Sequence, residues 1–281
     1  MNSKSYNVIF TDGAITTNSI GTTRVSCGAA SFLNVNDKNE VKIVINAVKL
    51  NDYYDTTNNE AELFGILKGI ELISDNSKEY ILYSDSEYSI NSLTKWIIDW
   101  YKTYSEQKNK NGIILPSMLT KGGKPVKNCL LICAIINLIV KKNVRIRFRH
   151  VRGHMSENKD KDILTQANYM SKVNSISFEK ALSEAKFVCK YNNFIDKLAK
   201  NYIEKYNQGE FNDEIESQME DSSIEYIEDG VIEFSKVDII NNKEVLTDID
   251  INNTPNFQFS LYQDYLLNKA IMKKYLTLIK Y

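Results

Sequence analysis

Residues 6–13 read YNVIFTDG, a short apolar run that ends in Asp12 and Gly13. The run predicts a buried β-strand. Two further stretches, 25–33 and 41–50, also predict strands, and the second is rich in β-branched residues. Three successive strands predict that the sheet begins with antiparallel pairs. An Asp-Gly pair after a strand is most often a turn, so this stretch indicates no function by itself.

Helices and parallel strands then alternate along the chain. TNNEAEL at residues 57–63 opens the first helix, because Thr57 and Glu60 form a capping box in front of an apolar stripe. Later strands are predicted at residues 80–83 and 144–149. Further helices are predicted at residues 95–104, 127–141, 177–190 and 192–206. The sequence therefore predicts an α/β fold with a five-stranded mixed sheet, three antiparallel strands and then parallel ones, flanked by helices.

Four carboxylates occupy positions where such a fold gathers ligands. Asp12 and Asp85 follow strands, and α/β sheets bind ligands at the carboxyl ends of parallel strands. Glu62 and Asp196 each lie at the edge of the apolar face of a predicted helix. Converging carboxylates repel one another unless cations lie among them, and oxygen ligands suit Mg²⁺ or Mn²⁺ better than zinc. Two such ions about 3.5–4 Å apart would stabilise the attacking and leaving oxygens of a phosphodiester.

Each carboxylate also has an ordinary explanation. Glu62 could be a solvated helix residue, and Asp85 could simply cap the helix that follows it. Asp196 could be a surface charge. The hypothesis of a two-metal nuclease therefore depends on all four carboxylates meeting in one place.

The distribution of charge indicates a polyanionic partner. The net charge is only −1, but residues 1–206 carry 29 Lys and Arg against 21 Asp and Glu. Residues 207–250 carry 2 basic and 14 acidic residues. A basic body attracts nucleic acid, and the acidic segment that follows would compete with it.

Cysteines and apolar runs indicate an intracellular chain. The four cysteines form no CxxC pair, and with only two histidines beside them a zinc site is disfavoured. The first residues, MNSKSY, contain no apolar signal core, and the longest apolar run, residues 130–140, is too short to span a bilayer. We therefore expect a cytoplasmic protein with reduced thiols and no membrane segment.

Taken together, the motifs resemble those of the type 1 ribonuclease H family. That family shows a strand ending in Thr-Asp-Gly, a helix opened by Thr-Asn-Asn-x-x-Glu-Leu and a strand ending in Asp-Ser-x-Tyr. A Gly-His loop and an Asn-x-x-x-Asp-x-Leu-Ala helix complete the set. In this chain the corresponding residues are 11–13, 57–63, 85–88, 153–154 and 192–199. The resemblance extends over residues 6–206 and implies a ribonuclease H-like fold.

The resemblance implies a catalytic role for five residues. Asp12 would bridge two metal ions, and Asp196 would hold the ion that activates water. Glu62 and Asp85 would hold the ion beside the leaving 3′-oxygen, while His154 would assist proton transfer or product release. The implied cofactor is a pair of Mg²⁺ ions, for which Mn²⁺ can substitute. The implied reaction hydrolyses the RNA strand of RNA/DNA hybrids and leaves 5′-phosphate and 3′-hydroxyl ends.

The resemblance also implies a surface for the hybrid duplex. Asn18, Asn58 and Asn59, with Gly13 beside them, would contact the RNA strand near the 2′-hydroxyls that distinguish RNA from DNA. The DNA strand and its phosphates would be contacted by Thr57, Trp96, Lys124, Lys127 and Asn128. Residues 95–127 carry 7 Lys and 2 acidic residues and resemble the basic protrusion of the family, which favours binding to a phosphate backbone.

Several features depart from the family pattern. TTNSIG replaces the usual glycine-rich turn around Asn18, and Glu87 adds a fifth carboxylate near the predicted metals. Within a predicted catalytic domain of residues 1–206, residues 155–191 form an insertion that lengthens the usual gap before the last helix.

An acidic C-terminal extension follows at residues 207–281. It contains a predicted hairpin at 224–234 and an apolar helix at 260–281. This helix is too apolar to remain in water, so we expect it to pack on the body or on a partner protein.

The activity favoured by the sequence is cleavage of RNA/DNA hybrids. Two alternatives remain open: a related nuclease for another duplex, such as double-stranded RNA or branched DNA, and a non-catalytic hybrid-binding module. The basic protrusion with Trp96 favours hybrids, and the presence of all four carboxylates disfavours an inactive module.

Overall fold

A computed structural model describes residues 7–17, 24–35, 41–42, 48–49, 57–71, 73–111, 118–207 and 267–280. Within these ranges a single mixed sheet contains seven strands. Their bounds are β1 Asn7–Thr17, β2 Arg24–Val35, β3 Val41–Lys42, β4 Val48–Lys49, β5 Glu79–Ser84, β6 Arg145–His150 and β7 Ile279–Lys280. The strand order is β3-β2-β1-β5-β6-β7, and β4 also pairs with β2.

The central strand β1 pairs differently on its two sides. It runs antiparallel to β2 along its whole length, and parallel to β5 from Asn7 to Phe10 only. β5, β6 and β7 continue the parallel side of the sheet. The α/β class agrees with the sequence prediction, but seven strands are described where the sequence predicts five. The difference arises because the predicted strand 41–50 is described as β3 and β4, and because β7 is not predicted.

The strand β1 does not end at Asp12, which corrects the sequence prediction. It continues to Thr17, paired with β2. What ends near Asp12 is the parallel pairing with β5, whose last pair is Phe10 and Tyr83. Asp12 and Asp85 each follow that pair by two residues, so both lie where the two parallel strands separate.

Seven α-helices are described around the sheet. They are α1 Asn58–Glu71, α2 Glu87–Asn91, α3 Ile97–Asn111, α4 Cys129–Lys142, α5 Asp160–Val173, α6 Phe178–Asn207 and α7 Lys269–Leu278. A π-helical turn, Ser92–Trp96, joins α2 to α3. The first helix begins at the predicted capping box, in which Glu60 N donates to Thr57 Oγ1 at 3.3 Å and Thr57 N donates to Glu60 Oε2 at 3.5 Å.

The insertion is more helical than the sequence predicts. The stretch before residue 177, for which the sequence predicts no helix, contains α5. The predicted helices 177–190 and 192–206 form the single helix α6, since no glycine or proline interrupts the sequence between them.

Apolar side chains form one core on each face of the sheet. Successive residues of β1 alternate between them, with Ile9 in the first core and Val8 and Phe10 in the second. The first core packs α1, α4 and α7 against the sheet, and the second packs α5 and α6. The insertion helix α5 and the helix that bears Asp196 therefore share one layer.

The end of the chain returns to the first core. Leu267, Met272 and Leu278 are buried there, and the Tyr275 hydroxyl, also buried, donates to Leu93 O at 2.7 Å. The predicted helix 260–281 ends at Leu278, and the next two residues form β7 beside β6. Residues 267–280 thus pack on the body of the protein. The predicted hairpin and the start of that helix lie outside the described residues.

Two simpler expectations concern membranes and thiols. In the ranges that the structure describes, no helix is both long enough and apolar enough to cross a bilayer. Cys129, Cys133 and Cys189 are buried, and none of these three forms a disulfide.

Candidate metal centre and active site

Three carboxylates meet where β1 and β5 separate. Asp12, Glu62 and Asp85 each offer an oxygen within 4.8 Å of the other two. Asp12 and Glu62 are each 5% exposed, and Asp85 is half-buried. All three line an open cavity of about 880 Å³, whose wall also includes Asp196 and His154. The five residues predicted to be catalytic therefore lie around one cavity.

Gly13 lets α1 approach β1 closely. A Cβ at this position would lie 2.3 Å from Glu62 N and 2.4 Å from the carbonyl carbon of Ala61. No side chain fits at that distance, so glycine is required for the first turn of α1 to bring Glu62 over Asp12. The Gly13 amide also donates to Asp12 Oδ1 at 2.7 Å, which orients that carboxylate.

Asp85 is held from two sides. Asn192, which is 2% exposed on α6, donates from Nδ2 to Asp85 Oδ2 at 3.2 Å. Gly153 packs against the same oxygen, because a Cβ there would lie 2.3 Å from Asp85 Oδ2. The Gly-His loop and α6 therefore fix this carboxylate together.

Burial and repulsion oppose the ionisation of Asp12 and Glu62. The pKa of Asp12 is raised to about 7, first by burial and then by the charge of Asp85. Burial and then the charge of Asp12 raise the pKa of Glu62 well above its usual range. Glu62 Oε2 is buried without a hydrogen-bond partner among the described residues.

The donor set fits a hard divalent cation. The group within 4.8 Å consists of carboxylates alone, with neither thiolate nor imidazole among its members. Oxygen donors of this kind suit Mg²⁺ and Mn²⁺, and a cation would relieve the repulsion and give Glu62 Oε2 a partner. The residues present are therefore suited to a divalent metal ion.

Asp196 differs from the other three carboxylates. Its two oxygens lie 2.7 and 2.8 Å from Lys200 Nζ, one helical turn further along α6. Asp196 lines the cavity but is not part of the group within 4.8 Å. Its charge is already balanced by a cation of the chain itself.

His154 projects from a loop held by α6. Its Nδ1 lies 3.8 Å from Asp196 Oδ2, and its side chain is 76% exposed. The backbone of His154 has φ 57, a left-handed conformation that is uncommon for a residue with a side chain. Asn193 Nδ2 donates to Met155 O at 2.7 Å and anchors the loop directly after His154.

The predicted substrate-binding residues fall into two groups. Gly13, Asn58 and Asn59 line the cavity. Thr57, Trp96, Lys124, Lys127 and Asn128 do not line it. Asn18 lies outside the described residues. The structure thus brings only part of the predicted substrate surface next to the carboxylates.

Tyr88 joins the predicted protrusion to the cavity. It lines the cavity, its hydroxyl donates to Lys127 O at 3.1 Å, and Asn128 Nδ2 donates to that hydroxyl at 3.4 Å. Its ring centroid lies 5.8 Å from that of Trp96, edge to face. Trp96 is 38% exposed, which leaves part of its ring open to a ligand.

Comparison with known proteins identifies the family. A model of the RNase H family matches residues 4–171, which is more than half of the chain. The chain belongs to the type 1 ribonuclease H family.

Relatives in the ribonuclease H family are matched over part of their length. A ribonuclease H of Actinobacillus succinogenes is 34% identical over 102 residues, 36% of this chain and 56% of that protein. One from Nitratidesulfovibrio vulgaris is 35% identical over 115 residues, 40% of this chain and 64% of that protein. One from Schizosaccharomyces pombe is 28% identical over 161 residues, 57% of this chain and 51% of that protein. The chain thus spans between about half and two thirds of the length of these relatives.

Two solved structures are similar at low identity. LC9-RNase H1, a type 1 RNase H with the type 2 active-site motif, is 15% identical with a TM-score of 0.39, over 62% of this chain and 75% of that chain. A foamy viral protease-reverse transcriptase in complex with an RNA/DNA hybrid is 15% identical with a TM-score of 0.38, over 60% of this chain and 19% of that chain.

In this ribonuclease H family member the matched segment ends before Asp196. It includes two other aspartates beyond the Gly-His loop, Asp160 and Asp162, in the first turn of α5. Asp162 Oδ2 accepts from Ser156 N at 3.0 Å and does not line the cavity. The structure brings Asp196 to the cavity instead, from α6, which begins at Phe178, beyond the matched segment.

Sequence reasoning gave no role to several residues of the cavity wall, among them Tyr88, His150, Arg152, Tyr169 and Lys200. His150 ends a parallel strand, and Lys200 follows Asp196 by four helical positions. Both positions could therefore have been predicted from the sequence to lie near the site. Tyr169 could not, because only the packing of α5 in the folded ribonuclease H domain brings it to the cavity.

Proposed function

We propose that this protein is an endoribonuclease that hydrolyses the RNA strand of RNA/DNA hybrids and leaves 5′-phosphate and 3′-hydroxyl ends. One observation carries the proposal. The cluster of Asp12, Glu62 and Asp85 within 4.8 Å opens into a cavity that Asp196 also lines. Membership of the ribonuclease H family makes a hybrid duplex the first substrate to test.

The proposed cofactor is two Mg²⁺ ions, with Mn²⁺ as a substitute. Asp12 would contribute to both ions, Glu62 and Asp85 to one, and Asp196 to the other. When bound, divalent ions of this kind supply Lewis-acid stabilisation of charge on phosphodiester oxygens. The chain itself orients these carboxylates, through the Gly13 amide on Asp12 and the Asn192 amide on Asp85.

His154 is proposed to move protons or to aid product release. Its exposed ring, 3.8 Å from Asp196 Oδ2, is free to turn toward the solvent side of the cavity. An imidazole has one nitrogen that can accept a proton and one that can donate it, which suits either role.

The proposed hybrid surface extends from the cavity to the protrusion. Asn58 and Asn59 lie beside the carboxylates and are exposed, so their amides are accessible to ribose hydroxyls. Lys124 and Lys127 are exposed on the protrusion, where their charges would bind phosphates of the DNA strand. Trp96, with Thr57 and Asn128, would contact that strand between the two regions.

The proposal assigns catalysis to residues 1–206 and places the protein in the cytoplasm. Three buried cysteines that form no disulfide support a reducing compartment. Residues 267–280 would contribute to the stability of the catalytic body, because they complete its first core.

Cleavage of four matched duplexes tests the proposal. The same sequence is prepared as RNA/DNA, RNA/RNA, DNA/DNA and a branched DNA, with a label on each strand in turn. We expect cleavage of the RNA strand of the hybrid alone, only with Mg²⁺ or Mn²⁺, and ends that a 5′-phosphate-dependent exonuclease accepts. Preferred cleavage of another duplex would favour the related-nuclease alternative. Tight hybrid binding without cleavage in either metal would favour a binding module.

A further inference from the structure

The insertion helix α5 reaches the wall of the cavity. Tyr169 from α5 lines it beside His150, at the end of β6, and Arg152, in the loop that follows. The proposed function uses none of these three residues. They nevertheless contact one another and the backbone of a proposed metal ligand.

A directed hydrogen-bond chain runs from Tyr169 to Asp85. The Tyr169 hydroxyl lies 2.6 Å from His150 Nδ1, and His150 Nε2 lies 3.0 Å from the backbone oxygen of Asp85. A carbonyl oxygen only accepts, so His150 Nε2 donates to it, and Nδ1 of the neutral ring accepts from the tyrosine hydroxyl. The tautomer of His150 is thus assigned from its two partners.

The insertion also holds the backbone on either side of this chain. Asn174, directly after α5, accepts from His150 N and donates to His150 O, each at 2.9 Å. Gln166 Oε1, on a fully buried side chain of α5, accepts from Arg152 N at 3.1 Å. The segment that leads into Gly153, which packs on Asp85, is therefore fixed by side chains of the insertion.

The ring of Tyr169 has a second contact. The guanidinium carbon of Arg152 lies 5.6 Å from the ring centroid, in the range of a cation–π interaction. Arg152 is exposed and lines the cavity. A guanidinium held at this wall is suited to bind a phosphate, because its donors match phosphate oxygens in pairs.

We propose that Tyr169 is a positioning residue with two targets. Its hydroxyl acts through His150 on Asp85, and its ring holds Arg152 at the cavity wall as a phosphate contact for the bound nucleic acid. The inference rests on the proposed function. On this proposal the insertion contributes to metal and nucleic-acid binding, and does not merely connect His154 to Asp196.

Substitutions at Tyr169 separate the two targets. Tyr169→Phe keeps the ring and removes the hydroxyl, whereas Tyr169→Leu removes both. Arg152→Gln removes the charge alone. Asn168→Ala, at an exposed position of the same helix, is the matched control. Mn²⁺ affinity of the free protein is measured by calorimetry, and hybrid affinity by fluorescence anisotropy in excess EDTA, where no cleavage can occur.

The expected effects differ between the two assays. Tyr169→Phe should weaken Mn²⁺ binding by about 2–10-fold, the effect of one hydrogen bond, and leave hybrid affinity unchanged. Tyr169→Leu should weaken both. Arg152→Gln should weaken hybrid binding by about 2–10-fold and make its salt dependence shallower, without changing Mn²⁺ binding. Combining Arg152→Gln with Tyr169→Leu should weaken hybrid binding no further, because both act on one contact.

The outcomes distinguish this inference from the proposed function. If Tyr169→Phe binds Mn²⁺ as tightly as the wild type and the Asn168→Ala control do, the proposed coupling of Tyr169 to Asp85 is wrong. Arg152→Gln with wild-type hybrid affinity would overturn the phosphate contact. Either result in a protein that still cleaves hybrids would leave the proposed function standing. A protein that cleaves no hybrid, yet responds to Tyr169→Phe in Mn²⁺ binding, would retain the coupling and lose the function. Tyr169→Phe alone suffices for the first target if Tyr169→Leu does not fold.

Discussion

The cavity contains two kinds of carboxylate, and they differ in where their counter-charge comes from. Asp12, Glu62 and Asp85 crowd together, two of them deeply buried, and among the described residues no ion pair joins them to a lysine or arginine. Asp196 lies across the same cavity on α6 and is paired with Lys200 through both oxygens.

The site therefore has one half whose negative charge is not balanced by a neighbouring cation of the described chain, and one half, at Asp196, whose charge is balanced. A cation at the three clustered carboxylates would offset both their mutual repulsion and the cost of burying their charges. Its binding there should therefore be strongly favourable. A cation at Asp196 has to compete with an ammonium that is already in place. We therefore expect unequal affinities for two ions, with the tighter site at the cluster.

The largest expected effect comes from removing the charge at the centre of the cluster. Asp12→Asn should reduce hybrid cleavage at least ~10³-fold, because several kcal/mol of charge stabilisation in the transition state depend on the metal ions. Hybrid affinity in EDTA should be nearly unchanged. Asp160→Asn, an exposed aspartate of α5, is the control. Substantial cleavage by Asp12→Asn, or by the wild type in excess EDTA, would contradict a metal-dependent mechanism.

A nearly equal loss of cleavage is expected at Asp196, but with a different binding isotherm. Asp196→Asn should reduce cleavage by about 10²–10³-fold and abolish only the weaker class of Mn²⁺ sites, while Asp12→Asn abolishes the tighter class. Calorimetric titration of Mn²⁺ into each variant measures this. Loss of all Mn²⁺ binding in Asp196→Asn would remove the distinction between the two halves of the site.

A smaller effect is expected at the lysines of the protrusion, where substitutions should change hybrid binding without changing metal binding. Replacing Lys121, Lys124 and Lys127 together by alanine should weaken hybrid binding and make the slope of log K against log salt shallower, by up to ~0.9 for each lost phosphate contact. Lys121 should contribute least, because it pairs with Asp99 at 2.9 Å. Mn²⁺ affinity should stay the same. An unchanged salt slope would mean that these lysines do not touch the duplex.

The smallest effect concerns stability against pH in the metal-free protein. Folding raises the pKa of Asp12 from 3.8 to about 7, so the folded state binds the proton more tightly than the unfolded state. The stability this contributes is complete below pH 4 and is lost as the pH rises through about 7. Asp12→Asn should therefore melt above the wild type at pH 8 in EDTA, by ~2–4 °C for each kcal/mol, and added Mg²⁺ should stabilise the wild type more than this variant.

Melting curves at pH 5 and pH 8 test this prediction, with Asp160→Asn as the control for an exposed aspartate. The gain in melting temperature of Asp12→Asn over the wild type should shrink at the lower pH. An equal gain at both values would mean that proton binding by Asp12 does not differ between the folded and unfolded states.

The sequence predicts those parts of the site that depend on local structure. The capping box at Thr57 fixes where α1 begins, and the ends of two apolar runs mark Asp12 and Asp85, so these residues follow from short patterns. Asp196 follows from the motif on α6. The continuation of β1 past Asp12 is not predicted, because it depends on pairing with β2 rather than on a pattern within the strand itself.

Features that depend on distant packing are not predicted. Tyr169 meets His150 only because α5 and α6 pack together on the second core. The strand β7 is two residues long and has no pattern of its own, so only its pairing with β6 identifies it. Secondary-structure propensity is a property of one segment of the sequence. These contacts join segments that are far apart in the chain, so propensity does not predict them.

The pairing of β7 with β6 bears on how the protein can be shortened. Without β7, β6 would present unpaired backbone amides and carbonyls, a template on which a second chain can add a strand. The apolar surface that α7 covers would be uncovered at the same time. A chain ending at residue 206 is therefore prone to aggregate, whatever the state of its carboxylates. Replacing residues 208–266 with a neutral linker, and keeping 267–281, would remove most of the acidic charge of the extension. The β6 edge of the sheet would then remain paired with β7 and protected from self-association.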